Sequence, residues 1–205
     1  MEKRVTLFQN AIILTMDESV PNLVKGDLLV RDERIEAIAS HLHVDDAEVV
    51  DATGCIIMPG FIDAHHHVWL GVQRRLMPNC SDLFAYIELV AERMGSKYRP
   101  IDTYLSTKLT AVASLDAGIT TILDAAHNTR GPEHSDASLD ALRDSGIRSL
   151  HMAGAPMDKQ FVKGHLLGDL KRLAAKWNQA DGLGTVGIHR EFITAAARWI
   201  MEAKL

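Results

Sequence analysis

Asp116-Ala117-Gly118-Ile119-Thr120-Thr121-Ile122-Leu123 and Asp144-Ser145-Gly146-Ile147-Arg148-Ser149-Leu150 repeat one local grammar. In each, a glycine sits where a helix needs a left-handed stop, and an isoleucine opens an apolar run of strand length. Ahead of the first copy, Leu105, Leu109, Val112 and Ala113 form a helical stripe with Asp102 as the expected N-cap. Further upstream, Leu83, Ile87, Val90 and Met94 mark one face of a helix running from Ser81-Asp82 to Gly95. Ahead of the second copy, a helix is expected from about Ser135. Beyond it, Leu166, Leu170, Leu173 and Trp177 share a face, and Gly182 and Gly184 lead into the strand Thr185–Ile188. Phe192, Ala196 and Ile200 predict a last helix. The first strand of the region reads as Cys55-Ile56-Ile57-Met58 continuing through Pro59-Gly60 to Phe61-Ile62-Asp63. Four strands, each followed by a helical pattern, predict a parallel sheet with right-handed crossovers. Periodicity alone leaves an open sheet and a barrel equally possible.

The first 54 residues read differently. Ala11–Met16, Leu28–Val30, Arg34–Ile38 and Val49–Ala52 are short β-rich runs, and Asp32-Glu33 is a hairpin turn without the usual glycine. The expected organisation is therefore an α/β protein of two parts. Residues 1–54 form a small β-sandwich-like domain, and 55–205 form the alternating region. The 205 residues are 47% hydrophobic and 24% charged, which excludes low-complexity and collagen-like chains. A formal charge of −5 with no basic stripe argues against a nucleic-acid partner. The longest apolar run, Leu83 to Ile87, is far too short for a membrane span. Cys55 and Cys80 make no disulfide framework, which fits a cytoplasmic location.

Ten histidines are the departure from average composition. Asp63-Ala64-His65-His66-His67 lies at the carboxyl end of the first alternating strand, where sites collect in parallel folds. Strand alternation sends His65 and His67 to one face and His66 to the other. Two imidazoles so placed can bind one divalent metal, and they accept zinc, iron or nickel. The same pattern also fits a histidine cluster that only caps a strand or faces solvent. His127 follows the second strand and is a candidate for the pocket, or else a loop histidine bonded to a carbonyl. Trp69 is a candidate wall of a substrate cavity, with plain packing as the alternative. His134 is expected ahead of a helix in a capping role. His41, His43, His151 and His165 show no spacing for ligation, and Cys80 has no partner that would activate it.

The whole run Met58–His67 resembles the first-strand signature of the metal-dependent amidohydrolase superfamily. Gly26–Val30, Ile35–Ile38 and Val50–Gly54 look like the β-domain that precedes that signature. Ala117–Asp124 with His127-Asn128 is similar to the second strand of the branch containing cytosine deaminase and triazine chlorohydrolase. Pro132-Glu133-His134 and Leu142–Arg148 extend the likeness. The resemblance implies a (β/α)8 barrel with one metal, zinc or iron, at its mouth and His65 and His67 among the ligands. It further implies hydrolysis of carbon–nitrogen bonds in a small heterocyclic substrate: a cyclic amidine, triazine, purine or pyrimidine.

The resemblance also implies a third histidine ligand from the fifth strand and an aspartate from the eighth, with a glutamate and a histidine between them for proton transfer. Residues 55–205 supply four βα units, whereas a complete barrel takes about 250 residues. The chain is therefore expected to be an N-terminal half whose catalytic residues lie beyond Leu205, with His189 as a possible substitute ligand. Half a barrel exposes sheet edges and an apolar face. The alternative expectation is accordingly a non-catalytic half-barrel that self-associates or serves as a binding module.

Overall fold

The computed structural model describes residues 4–76, 82–154, 156, 166–178 and 182–188. Two compact units divide the chain, Met1–Gly60 and Phe61–Leu205. The first unit holds strands β1 (Val5–Ile13), β2 (Leu23–Arg31), β3 (Arg34–Ala39), β4 (Glu48–Asp51) and β5 (Ile56–Ile57). They form one mixed sheet in the order β3-β2-β1-β4, with β5 also alongside β1. Arg31 pairs with Arg34, so Asp32-Glu33 is a two-residue hairpin loop. Asp32 adopts φ 56°, the left-handed region such a loop demands, and its side chain accepts the Arg4 N–H at 3.1 Å. An aspartate tolerates that region well enough to replace the missing glycine.

Strand β5 corrects the reading of Cys55–Met58 as the start of the first barrel strand. Ile56 and Ile57 pair in parallel with Ile12 and Ile13, and Ile57 packs against a core of Ala11, Ile13, Leu28 and Ala52. The second unit opens only at Phe61, so the break between units lies past the expected residue 54.

In the second unit, β6 (Phe61–His66), β7 (Ile119–Ala126), β8 (Arg148–Ala153) and β9 (Gly184–Ile188) are all parallel and lie in sequence order. Sequential order separates the two architectures that periodicity left open. With every crossover right-handed and every step in the same direction, all helices fall on one face, as in a singly wound barrel. A doubly wound sheet would reverse its strand order partway. The described residues of the unit thus form four strands of an incomplete (β/α)8 barrel. Its helices are α1 (Leu83–Ile87, continuing as a π-helix over Glu88–Met94), α2 (Pro100–Asp116), α3 (Pro132–Ser145) and α4 (Leu166–Trp177), with a 3-10 turn at Val68–Gln73. Gly118 and Gly146, at φ 81° and 78°, hand α2 to β7 and α3 to β8 as expected. The core beneath is Val68, Ala111, Ile122, Leu142 and Ile147. Arg172 donates to both Asp136 oxygens at 3.0 and 2.9 Å, tying α4 to α3. Among the described residues, no helix is long and apolar enough to cross a membrane.

Three helix readings are corrected. The expected single face of Leu83, Ile87, Val90 and Met94 does not share one environment: Val90 is buried, but Leu83 and Met94 are exposed. The π-helical turns change the angular step, so positions that share a face in an α-helix diverge. Helix α2 buries Thr103, Ser106, Thr107, Ala111 and Ser114, while Leu105, Leu109, Val112 and Ala113 point outward. Helix α3 starts at Pro132, so His134 lies in its first turn, where Nε2–H donates to the Tyr98 carbonyl at 3.0 Å. The expected helix around Phe192–Ile200, as well as His165, Cys80 and His189, lies outside the described residues.

Asp102 is not the N-cap of α2 but its third residue. Its carboxylate accepts the Arg99 backbone N–H at 2.9 Å and two guanidinium bonds at 2.8 and 2.9 Å. The Arg99 side chain, then its backbone N–H, holds the Asp102 carboxyl at about 2, below the ordinary 3.8. Asp102→Ala is expected to cost about 1 kcal/mol of stability by urea denaturation at neutral pH. A depressed carboxyl stabilises the fold above its ordinary range and loses that effect on acidification. The gap between parent and variant should therefore close as pH falls from 3.8 toward about 2.

Candidate metal site

Parallel pairing with β7 brings the end of β6 to the carboxyl edge of the sheet. Asp63 pairs with Ile122 and His66 with Asp124, so Ala64 and His65 together oppose Leu123 of β7, a bulge. Simple alternation therefore does not hold up to His67, which leaves the strand at φ −99° and ψ 79°. The rings of His65 and His67 nevertheless meet, edge to face, with centroids 4.9 Å apart. His65 is exposed and His67 half-buried, so both reach an open edge.

Hydrogen bonds fix what each nitrogen can do. His67 Nδ1 lies 2.9 Å from the Ala125 carbonyl, which can only accept, so Nδ1 carries the proton and the neutral ring keeps a lone pair on Nε2. His66 Nδ1 lies 2.7 Å from Asp63 Oδ2. The other Asp63 oxygen accepts the His65 backbone N–H at 3.1 Å. Burial opposes ionisation of Asp63, but the bonds from His66 and the His65 N–H outweigh it and hold the carboxyl below its ordinary value.

Behind the pair stands a wall of rings. His127 meets His67 edge to face at 4.3 Å, Trp69 meets His127 at 5.2 Å, and Tyr98 meets Trp69 at 5.6 Å. Trp69 is 2% exposed and His127 7%. They do not line the cavity of about 460 Å³ beside this edge, whose walls include His66, His67, Tyr86, Leu109 and Ala113. Among the described residues, no set of three His, Cys, Asp or Glu side chains is grouped as a metal cage. Among the described residues, His65 and His67 are thus brought together without a third donor, and His41, His43 and His134 lie in other settings.

Sequence reasoning missed one feature of this edge. Asp124 and His151 pair across β7 and β8, with Nδ1 2.8 Å from Oδ2 and side chains 1% and 0% exposed. The available signal was an aspartate inside a run that otherwise reads as a strand buried on both faces.

The segment after His67 is pinned to α2. Ser106 Oγ donates to the Trp69 carbonyl at 2.5 Å and accepts the Val72 N–H at 3.0 Å, and Thr110 Oγ1 donates to the Val68 carbonyl at 2.9 Å. A Cβ at Gly71 would stand 2.5 Å from the Ser106 carbonyl oxygen, so only glycine permits this approach. Ser106→Ala leaves the buried Trp69 carbonyl and the part-buried Val72 N–H without this partner and is expected to cost about 1–3 kcal/mol, read from chemical denaturation. Gly71→Ala should also destabilise the chain, because it forces backbone apart.

The family model for the amidohydrolase family matches residues 56–203. A 5'-deoxyadenosine deaminase of Methanothrix thermoacetophila is 22% identical over 97% of this chain and 45% of its own length. Among solved structures, a triazine hydrolase variant superposes with TM-score 0.80 at 21% identity, covering 98% of this chain and 51% of that one. Guanine deaminase from C. acetobutylicum gives 0.74 at 15% identity, covering 98% and 52%. The chain thus spans about half the length of the proteins it matches, sharing their fold through both units. A family match that takes in all four parallel strands and the His65–His67 edge makes this chain a member of the amidohydrolase family.

Proposed function

We propose that this chain is the metal-holding portion of a hydrolase that cleaves a carbon–nitrogen bond in a small heterocyclic amine, releasing ammonia or another amine. The observation that carries the reading is the His65–His67 pair, with the His67 Nε2 lone pair left free by the bond from Nδ1–H to Ala125. His65 and His67 would hold one divalent cation, zinc or iron, as two of its ligands, the others lying outside the described residues. Such a cation, when bound, activates water for attack on an electron-poor carbon. His127 and Trp69 brace the His67 ring from behind, and Asp63 fixes the turn that presents His65. The names of the similar proteins support the substrate class, since deoxyadenosine, guanine and triazine are all nitrogen heterocycles. A reducing cytoplasm is the compartment we assign, consistent with the exposed free thiol of Cys55.

Elemental analysis of the purified chain should find zinc or iron. His65→Ala and His67→Ala should each bring it to background while the thermal melt persists. A parent with no metal above background would remove the reading. Ammonia release from heteroaromatic amines should depend on the same two histidines.

A second reading rests on the exposed apolar surface of the second unit. Phe61 and Ile62 on β6 are 58% and 72% exposed, and the outward stripe of α2 adds Leu105, Leu109 and Val112. Among the described residues, β6 pairs only with β7 and β9 only with β8. Such a surface favours self-association through the open side of the barrel. Light scattering coupled to size exclusion should give a dimer or larger species, whereas a monomer with a cooperative melt would count against it.

A further inference from the structure

We propose that the buried Asp124–His151 pair is a positioning device for His67. The inference deepens the metal reading above and rests on it for its purpose, though not for its geometry. Strand β7 grips His67 and its neighbour at two adjacent points. The Ala125 carbonyl accepts the ring proton at 2.9 Å, and one residue earlier Asp124 Oδ1 accepts the Val68 backbone N–H at 3.3 Å. The first bond sets which way the ring faces. The second fixes the backbone immediately after it, where the chain has left strand geometry and has no ladder of its own to hold it.

Asp124 is held in turn by His151. Its second oxygen accepts a hydrogen bond from His151 Nδ1–H at 2.8 Å, and the two residues sit in register on neighbouring strands. Stability does not account for this arrangement. A buried polar pair of this kind is commonly matched or exceeded in stability by apolar side chains of similar volume, and among the described residues His151 Nε2 is buried with no hydrogen-bond partner. What an apolar pair could not provide is an acceptor for the Val68 N–H. The pair therefore exchanges some stability for a fixed path of the chain through His67, much as outer partners orient metal-binding histidines elsewhere.

The tests use the whole chain and two readouts. In the metal-free protein, long-range ¹⁵N correlation spectra of the histidines should show His67 as a single tautomer with the proton on Nδ1. Asp124→Ala should convert it to a mixture, whereas Asp124→Asn, which keeps an acceptor for Val68, should preserve it. With zinc as probe, competition against a chromophoric chelator should show affinity falling about 10–100-fold in Asp124→Ala and recovering in Asp124→Asn. If Asp124→Ala does not fold, the double variant Asp124→Leu/His151→Leu supplies an apolar pair instead. It should melt cooperatively yet show the same tautomer mixture and weakened zinc binding. A folded variant without the Asp124 carboxylate that retains both the single His67 tautomer and the parental zinc affinity would overturn the proposal. A parent that binds no zinc but shows the tautomer change would sink the metal reading alone and leave the clamp standing.

Discussion

Hydrogen bonds along both edges of β7 position everything of chemical interest in the second unit. On one edge, parallel pairing carries β6 to its bulge and delivers His65 and His67 at the open end. On the other, the pairing with β8 sets His151 directly opposite Asp124. Parallel neighbours cannot be joined by a tight turn, so this strand depends on α2 and α3 to bring its partners back. Gly118 and Gly146 make those returns short enough by reversing direction within one left-handed residue. The chemistry is thus a property of the sheet's register more than of the loops around it.

The helix layer achieves its close fit by an unusual choice of side chains. Helix α2 meets the turn after His67 through serine, threonine and alanine, not through its leucines. Small side chains let the Gly71 backbone come against Ser106, and their hydroxyls satisfy carbonyls and N–H groups that a 3-10 turn leaves open. A leucine interface would bury more apolar area but would hold the turn farther away, with those groups unpaired.

Much of this was legible in the sequence. The repeated Asp-x-Gly-Ile signal gave the strand–helix alternation, Asp32-Glu33 gave the hairpin, and the H-x-H spacing singled out the two rings that meet. The failures have physical reasons. Periodicity identifies an apolar face but not what covers it, so the stripe of Leu105, Leu109 and Val112 could be read from the sequence while its exposure could not. It also assumes an α-helical step, which the π-helical stretch through Val90 does not keep. A strand of two residues, β5, is too short to carry a pattern, and only its pairing with β1 separates it from β6. The Asp124–His151 pair joins residues of two strands whose register no local signal reports.

Because the His67 ring is oriented when the chain folds, a cation bound there as proposed would meet a ligand already in place. Little rotational freedom remains to be lost, and preorganisation of this kind lengthens residence more than it speeds capture. The same bond ties that residence to the margin of the sheet, since β6 has a neighbour on only one side among the described residues. The lability of such an ion would then report local opening of β6 as well as the strength of its bonds to the two imidazoles.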